Sequence, residues 1–343
     1  MSGSNDIKKV AIVGATGSVG KHIVKGLLKG GKHEVTALTR GEAEIPKGVK
    51  VVKISYDDPT SLAKALEGQD ALVITLSTRA PQGTQEKLIE AAAAANVSFV
   101  LPNEWGVDSS HGTLGVDILM GPPAAAAKKK IEELGKSSWI AVTTGYWYSH
   151  SLAVPECFGF DLNNKTVTFF DEGTVKINSI VSDLLLFQTK YNKTLTKAAK
   201  QTWEKTGEAV ASLLSLPIES EVNGPALSDY KNKAVYVASW LMSQKDILEQ
   251  VLRVSGTKES DWTIKYEPAV ERYEEAKKRL FSGDRSAFQR LLYTRTFYNN
   301  GDGDFESRHG LDNDKLGLAK ETQESLDAQT KQAIELAESG YEY

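Results

Sequence analysis

Cysteine is almost absent. Cys157 stands alone in 343 residues, which excludes an internal disulfide and any zinc site built from cysteines. No apolar run approaches the roughly 18–20 residues needed to cross a bilayer, so no membrane association is expected. The start, MSGSNDIKKV, has no apolar signal core, and with the single thiol this fits a reducing cytoplasm. The sequons Asn96-Val97-Ser98 and Asn164-Lys165-Thr166 are therefore expected to stay bare. An excess of positive charge is missing too: 41 Lys and Arg stand against 45 Asp and Glu, a formal net charge of -4, which argues against general nucleic-acid binding. Histidines number five and none pairs at a ligand spacing, so no metal is expected.

What is present is an ordinary globular composition, 41% hydrophobic and 25% charged, in a chain long enough for one large domain with a lobe, or for two domains. IKKVAIVG (7–14), HEVTALTR (33–40), VKVVKIS (49–55), DALVITLS (70–77), VSFVLP (97–102) and SSWIAVTTG (137–145) read as six strands. Helical runs alternate with them: KHIVKGLLKG, LAKALEG, QEKLIEAAAAA and GPPAAAAKKKIEELG. That rhythm predicts βαβ units, and the near-continuous apolar strands predict a parallel sheet covered on both faces. After residue 150 the pattern changes. TVTFFDEGTVKI (166–177) reads as a hairpin around Asp171-Glu172-Gly173, KAVYVAS (233–239) and WTIKYEP (262–268) as further strands, and long helical runs surround them. The expected architecture is an α/β, Rossmann-type doubly wound sheet over 1–150. A smaller α+β lobe over 151–343 sends some elements back to the core. The acidic, turn-rich stretch 299–314 lacks the glycine and glutamate spacing of an EF-hand and reads as a surface loop.

GATGSVG (14–20) lies where the first strand passes into the first helix. Gly14 permits a tight turn, Gly17 lets backbone approach a pyrophosphate, and Gly20 lets the helix pack on the sheet; the helix N-terminus then offers N–H groups to the anion. Thr16, Ser18 and Val19 complete the loop. The second strand ends in Arg40, where an NAD-preferring site usually places an acid; an arginine there can pair with a 2′-phosphate, with Lys47 or Lys50 assisting.

With LTR closing the second strand, and LIEAAAAANVSFVLPNEWGVD (88–108) carrying Pro102-Asn103-Glu104-Trp105-Gly106-Val107-Asp108, the sequence resembles the NmrA-like and isoflavone reductase-like branch of the atypical short-chain dehydrogenases. LLSLP (213–217) and NKAVYVAS extend the resemblance over most of the chain. It implies NADP(H) binding and a reductase fold with a small substrate lobe, and it leaves a homodimer open. It carries cofactor contacts onto Gly14, Thr16, Gly17, Ser18, Val19, Gly20, Arg40, Leu76, Ser77, Asn103 and Lys128, with Thr78 beside them. There are three departures. Ser55 stands where the family has an aspartate that can contact adenine, with Asp58 later; Asn103 replaces a serine; and about 20 residues near 180–201 read as inserted, either a retained intron or an extra helix.

Ordinary short-chain dehydrogenases use Tyr-x-x-x-Lys, and the resemblance instead implies a lysine at the start of the helix after strand five. Lys128-Lys129-Lys130-Ile131 matches that position. The three lysines point about 100° apart, so one or two face a cleft. Lys128 is the expected proton relay, and a wholly solvated run is the alternative. Tyr273-x-x-x-Lys277 lies far past the sheet and reads as a chance helical pair. Tyr146, Trp147 and Tyr148, after strand six, either line a substrate pocket or pack in the core; His111 and His150 are further candidates. Two functions stay open: NADPH-dependent reduction of a small aromatic or conjugated molecule, and a non-catalytic dinucleotide-sensing regulator acting through a partner protein.

Overall fold

The computed structural model describes residues 5–42, 44–77, 80–181, 205–220 and 223–341. The first part alternates strand and helix: β1 (Lys9–Val13), α1 (Gly20–Gly30), β2 (Glu34–Thr39), β3 (Lys50–Lys53), α2 (Pro59–Leu66), β4 (Ala71–Ile74), α3 (Thr84–Ala94), β5 (Phe99–Leu101), α4 (Leu114–Asp117), α5 (Gly121–Leu134) and β6 (Ser138–Thr143). The chain continues through β7 (Tyr146–Trp147), α6 (Tyr148–Ala153), α7 (Pro155–Phe158), β8 (Phe160–Asp161), β9 (Thr166–Phe170), β10 (Ile177–Ile180) and α8 (Lys205–Leu214). It ends with β11 (Lys233–Tyr236), β12 (Trp240–Met242), α9 (Gln244–Ser255), β13 (Thr263–Glu267), α10 (Ala269–Phe281), α11 (Ala287–Thr296), α12 (Phe305–His309) and α13 (Gln323–Glu338).

Seven strands form one parallel sheet in the order β11-β6-β5-β4-β1-β2-β3. Alternate residues of each strand serve opposite faces. Val10 and Ile12 join Ile23, Val24 and Leu27 of α1 and Val210 and Leu213 of α8, whereas Ala11 and Val13 join Leu62, Leu88 and Ile131 from α2, α3 and α5. This is a doubly wound fold, as the apolar strands predict. Helices α1 and α8 cross at two glycines: a Cβ on Gly26 would lie 2.3 Å from the Gly207 carbonyl oxygen, so a side chain there would drive the helices apart. Both α8 and β11 come from beyond residue 150 and pack into this sheet domain.

The rest builds a second core around Tyr148, Phe158, Phe160 and Phe170 with two three-stranded sheets. Here two expectations change. The 166–177 segment turns at Asp171 and Gly173, both with positive φ, but its strands do not pair with each other. Instead β9 pairs in parallel with β13, almost a hundred residues later, while β10 pairs with β12 and β7. A local turn signal was overridden by long-range pairing. The 299–314 stretch is a strap rather than a free loop. Asp312 accepts from the Tyr236 N–H at the end of β11, Glu306 accepts from Asn178 of β10, and Gly303 sits so close to Ile177 that a Cβ would meet it at 2.5 Å. The segment expected as an insertion, 180–201, lies outside the described residues apart from Ile180 and Val181. Among the described residues, no helix is long and apolar enough to cross a membrane.

Candidate active site

Strands β4, β1 and β2 lie side by side, and β1 sits where the chain order reverses, the place at which open α/β sheets bind ligands. A cleft of about 390 Å³ opens there, lined by Gly14–Gly17 after β1, Leu38–Glu42 after β2, Tyr56 after β3, and Thr75–Ser77 with Ala80 and Pro81 after β4. The glycines are sterically required. Gly14 has φ +79°, and a Cβ on it would lie 1.9 Å from the Thr75 carbonyl oxygen; a Cβ on Gly20 would lie 2.2 Å from the Gly14 oxygen. A Gly17 N–H to Gly14 carbonyl bond of 2.8 Å closes the turn. Val19 occupies the N-cap position with no side-chain cap, and the first turn of α1 is closed by backbone, Lys21 N–H donating to the Gly17 carbonyl at 3.1 Å and His22 N–H to the Val19 carbonyl at 3.0 Å. Thr16 is exposed on the cleft rim, and Ser18 lies within the turn.

Arg40 lines the opposite end, its guanidinium 5.6 Å over the Tyr56 ring. Burial raises the Tyr56 phenol above its ordinary value, and the Arg40 charge opposes the rise. Neither acid after β3 serves the cleft. Asp58 caps α2 by accepting from the Ser61 N–H at 3.0 Å, and Asp57 is paired with Lys87 at 2.8 Å. Lys47 and Lys50 are not among the lining residues. Tyr56 is the feature that sequence reasoning missed; its signal was an aromatic immediately after Ser55, at the strand end where an adenine contact is expected.

The far wall is tied to the loop after β5. Asn103 accepts from the Leu76 N–H at 3.0 Å and donates to the Leu76 carbonyl at 3.1 Å, so its side chain holds the strand end that lines the cleft. The Trp105 indole donates to the Ile74 carbonyl at 2.8 Å. Between them, Glu104 places Oε2 2.9 Å from Lys128 Nζ, which also donates to Ser110 Oγ at 2.9 Å. The three lysines thus divide. The Lys128 side chain is 12% exposed, whereas Lys129 is 76% exposed and paired with Glu133, and Lys130 is paired with Glu90 on α3. Thr78 lies outside the described residues.

Other candidates lie apart from this cleft. Tyr146 stacks on Tyr293 at 4.0 Å, with its hydroxyl 2.6 Å from Thr296 Oγ1, and the Tyr148 hydroxyl meets Thr330 at 3.1 Å. Burial pushes both phenols up. They are core residues of the second lobe rather than pocket lining, while Trp147, between them, packs toward the sheet core. His150 is buried against Tyr341, and burial pushes it down to about 4; His111 lies 3.2 Å from Asp302. The Tyr273 hydroxyl donates to the Asp117 carbonyl, and burial pushes it up to about 12, the reverse of an activated phenol; Lys277 lies over its ring and pairs with Glu274.

An NAD(P)H-binding family model matches residues 14–144. "Oxidoreductase aprR" of Aspergillus flavus is 26% identical over 319 residues, 90% of this chain and 94% of that protein. A bifunctional pinoresinol-lariciresinol reductase of Linum usitatissimum is 32% identical over 118 residues, which are 30% of this chain and 38% of the flax protein. The crystal structure of an isoflavone reductase superposes with a TM-score of 0.69 at 18% identity, covering 95% of this chain and 99% of the other, a likeness of fold.

Proposed function

We propose that the chain is an NADPH-dependent reductase of a small aromatic or conjugated molecule, a reading supported by its match to an NAD(P)H-binding family model and its similarity to an oxidoreductase and to pinoresinol-lariciresinol reductases. The observation that carries this reading is one continuous arrangement: a glycine cradle with Arg40 at one end, and at the other a wall through which Leu76, Asn103 and Glu104 lead to an inward-facing lysine.

The residues fit a dinucleotide. Gly14 and Gly20 let the turn and the start of α1 pack against Thr75 and the Gly14 carbonyl, and this tight loop at the strand-to-helix junction is the shape that lets backbone approach a pyrophosphate. Arg40 suits the 2′-phosphate, and the planar guanidinium and the Tyr56 ring beside it are flat groups against which an adenine can stack. Leu76 and Ser77 face the remainder of the cofactor. When bound, NADPH supplies a hydride. Lys128 holds the proton that completes the reduction, delivered to the second carbon of a conjugated double bond or to the oxygen released when a benzylic ether opens. Its ammonium already stands among oxygen acceptors, so it is oriented before substrate arrives.

The test is NADPH oxidation with a panel of enones, quinones and aryl benzylic ethers. Acceptor-dependent oxidation with at least one class is expected. Tight NADPH binding with no turnover, and a partner protein recovered by pull-down, would put the chain among the dinucleotide-sensing regulators instead.

A further inference from the structure

We propose that Glu104 is the positioning residue that fixes the Lys128 ammonium in place, an inference that rests on Lys128 being the proton relay. Three consecutive lysines on α5 have the same chemistry, and only the surroundings single one out. Glu104 does so with one oxygen: Oε2 takes both Lys128 Nζ and Ser109 Oγ, each at 2.9 Å. The other oxygen, Oε1, is enclosed and has no hydrogen-bond partner among the described residues. Lys128 is thus the cation that the Glu104 carboxylate holds, through a charge-assisted bond.

The carboxylate is itself held from both sides. Asn103 is bonded to both backbone groups of Leu76, and Trp105 to the Ile74 carbonyl, so Glu104 is registered to the strand whose end lines the cleft. The helix bearing the lysine has no room to shift. A Cβ on Gly115 would lie 1.8 Å from the Ser109 carbonyl oxygen, and Gly121, the first residue of α5, packs directly on Gly115. Lys128 is therefore set by a chain of fixed contacts running from Leu76 through Asn103 and Glu104. Neither Lys129 nor Lys130 has a link of this kind; their partners, Glu133 and Glu90, are themselves more than half exposed.

The test has two arms on the full chain. In the first, limited acetylation with acetic anhydride is read at each lysine by peptide mass spectrometry, with no substrate required. Lys128 should be acetylated about tenfold less than Lys129 in the native protein, and Glu104→Gln should remove most of that protection, on the scale of one lost charge-assisted bond. An unchanged Lys128-to-Lys129 ratio in Glu104→Gln would overturn the proposal. If that variant does not fold, Glu104→Asp and Ser110→Ala carry the same reading, and full protection in both would likewise overturn it. The second arm uses NADPH oxidation. Glu104→Gln should lower kcat about 10–100-fold with little change in KM, Glu104→Asp should recover part, and in a Lys128→Ala background Glu104→Gln should cost nothing further. An equal loss in that background would mean that Glu104 acts by another route. If the native protein oxidises NADPH with none of the acceptors tried, the reductase reading fails, and the acetylation arm still decides the positioning.

Discussion

Gly14 and Thr75 meet backbone to backbone at the ends of neighbouring strands β1 and β4. A Cβ on Gly14 would lie 1.9 Å from the Thr75 carbonyl oxygen, and Thr75 Oγ1 in turn donates to the Val13 carbonyl at 2.7 Å. The turn, the strand end and the start of α1 are thus packed as one unit. Gly14→Ala should harm fold and binding together. The left-handed backbone alone costs about 1–2 kcal/mol, and the collision adds to it. Gly17 differs: its φ is not in the left-handed region and a Cβ would lie 3.2 Å from the Gly14 oxygen. Gly17→Ala should leave the melting temperature nearly unchanged while weakening NADPH in calorimetry, because the added methyl occupies the approach to the pyrophosphate. Equal melting losses in the two variants would contradict this separation.

Arg40 and Tyr56 should separate by cofactor. Arg40→Ala should weaken NADPH by about 1.5–3 kcal/mol, the scale of hydrogen bonds to a charged group, and leave NADH nearly unchanged. Tyr56→Ala should weaken both cofactors alike, by about 1–3 kcal/mol if the ring stacks on the adenine they share. Calorimetry with both cofactors on both variants reads the difference directly. A selective NADPH loss in Tyr56→Ala would mean that the ring only supports Arg40.

The sheet was legible in the sequence because a strand covered on both faces is a short apolar run, and the glycine loop was legible because its spacing is local. What lay beyond reading depends on long-range contact. Helical periodicity places Lys128, Lys129 and Lys130 on different faces but does not say which face is inward; Glu104 and Ser110 decide that. That Asn103 also ties down Leu76 with two bonds is not visible from its place in the sequence. The hairpin failed for the same reason, since β9 found its partner in β13. Tyr146 and Tyr148 follow a strand that ends near the cleft, yet the chain had already turned into the second lobe's core.

Lys128→Ala should lower kcat by about 10²–10⁴, the usual worth of general acid–base catalysis, while Lys130→Ala, already paired with Glu90 on the surface, should do little. The same substitution carries a stability cost. It leaves the Glu104 carboxylate enclosed with the Ser109 hydroxyl alone, and removing one partner of a buried pair costs about 3–5 kcal/mol at full burial. This pair is slightly exposed, so the loss should fall below that range. Adding Glu104→Gln should restore much of the melting temperature but none of the activity. If the double variant melts no higher than Lys128→Ala, the two side chains are not energetically coupled.

His150 should make the fold sensitive to mild acid. Its ring is buried beside Tyr341 and Trp147, and burial lowers its protonation from the ordinary 6.5 to about 4. The unfolded chain therefore binds a proton at this site more readily than the folded one. The sign follows: the contribution is intact above about pH 6.5, where both states are neutral, and is lost progressively as pH falls through the window down to about 4. A shift of this size corresponds to a loss of up to about 3 kcal/mol. His33, also lowered by burial and held between the Ile7 carbonyl and Ser215, works in the same direction. His150→Gln keeps a polar side chain but cannot take up the proton. Melting temperatures measured from pH 7.5 to 4.5 should fall less steeply for this variant than for the native chain, the curves drawing together toward the acid end. Parallel curves across the window would mean that His150 is protonated in the folded protein, and that its place beside Tyr341 is open enough to admit water.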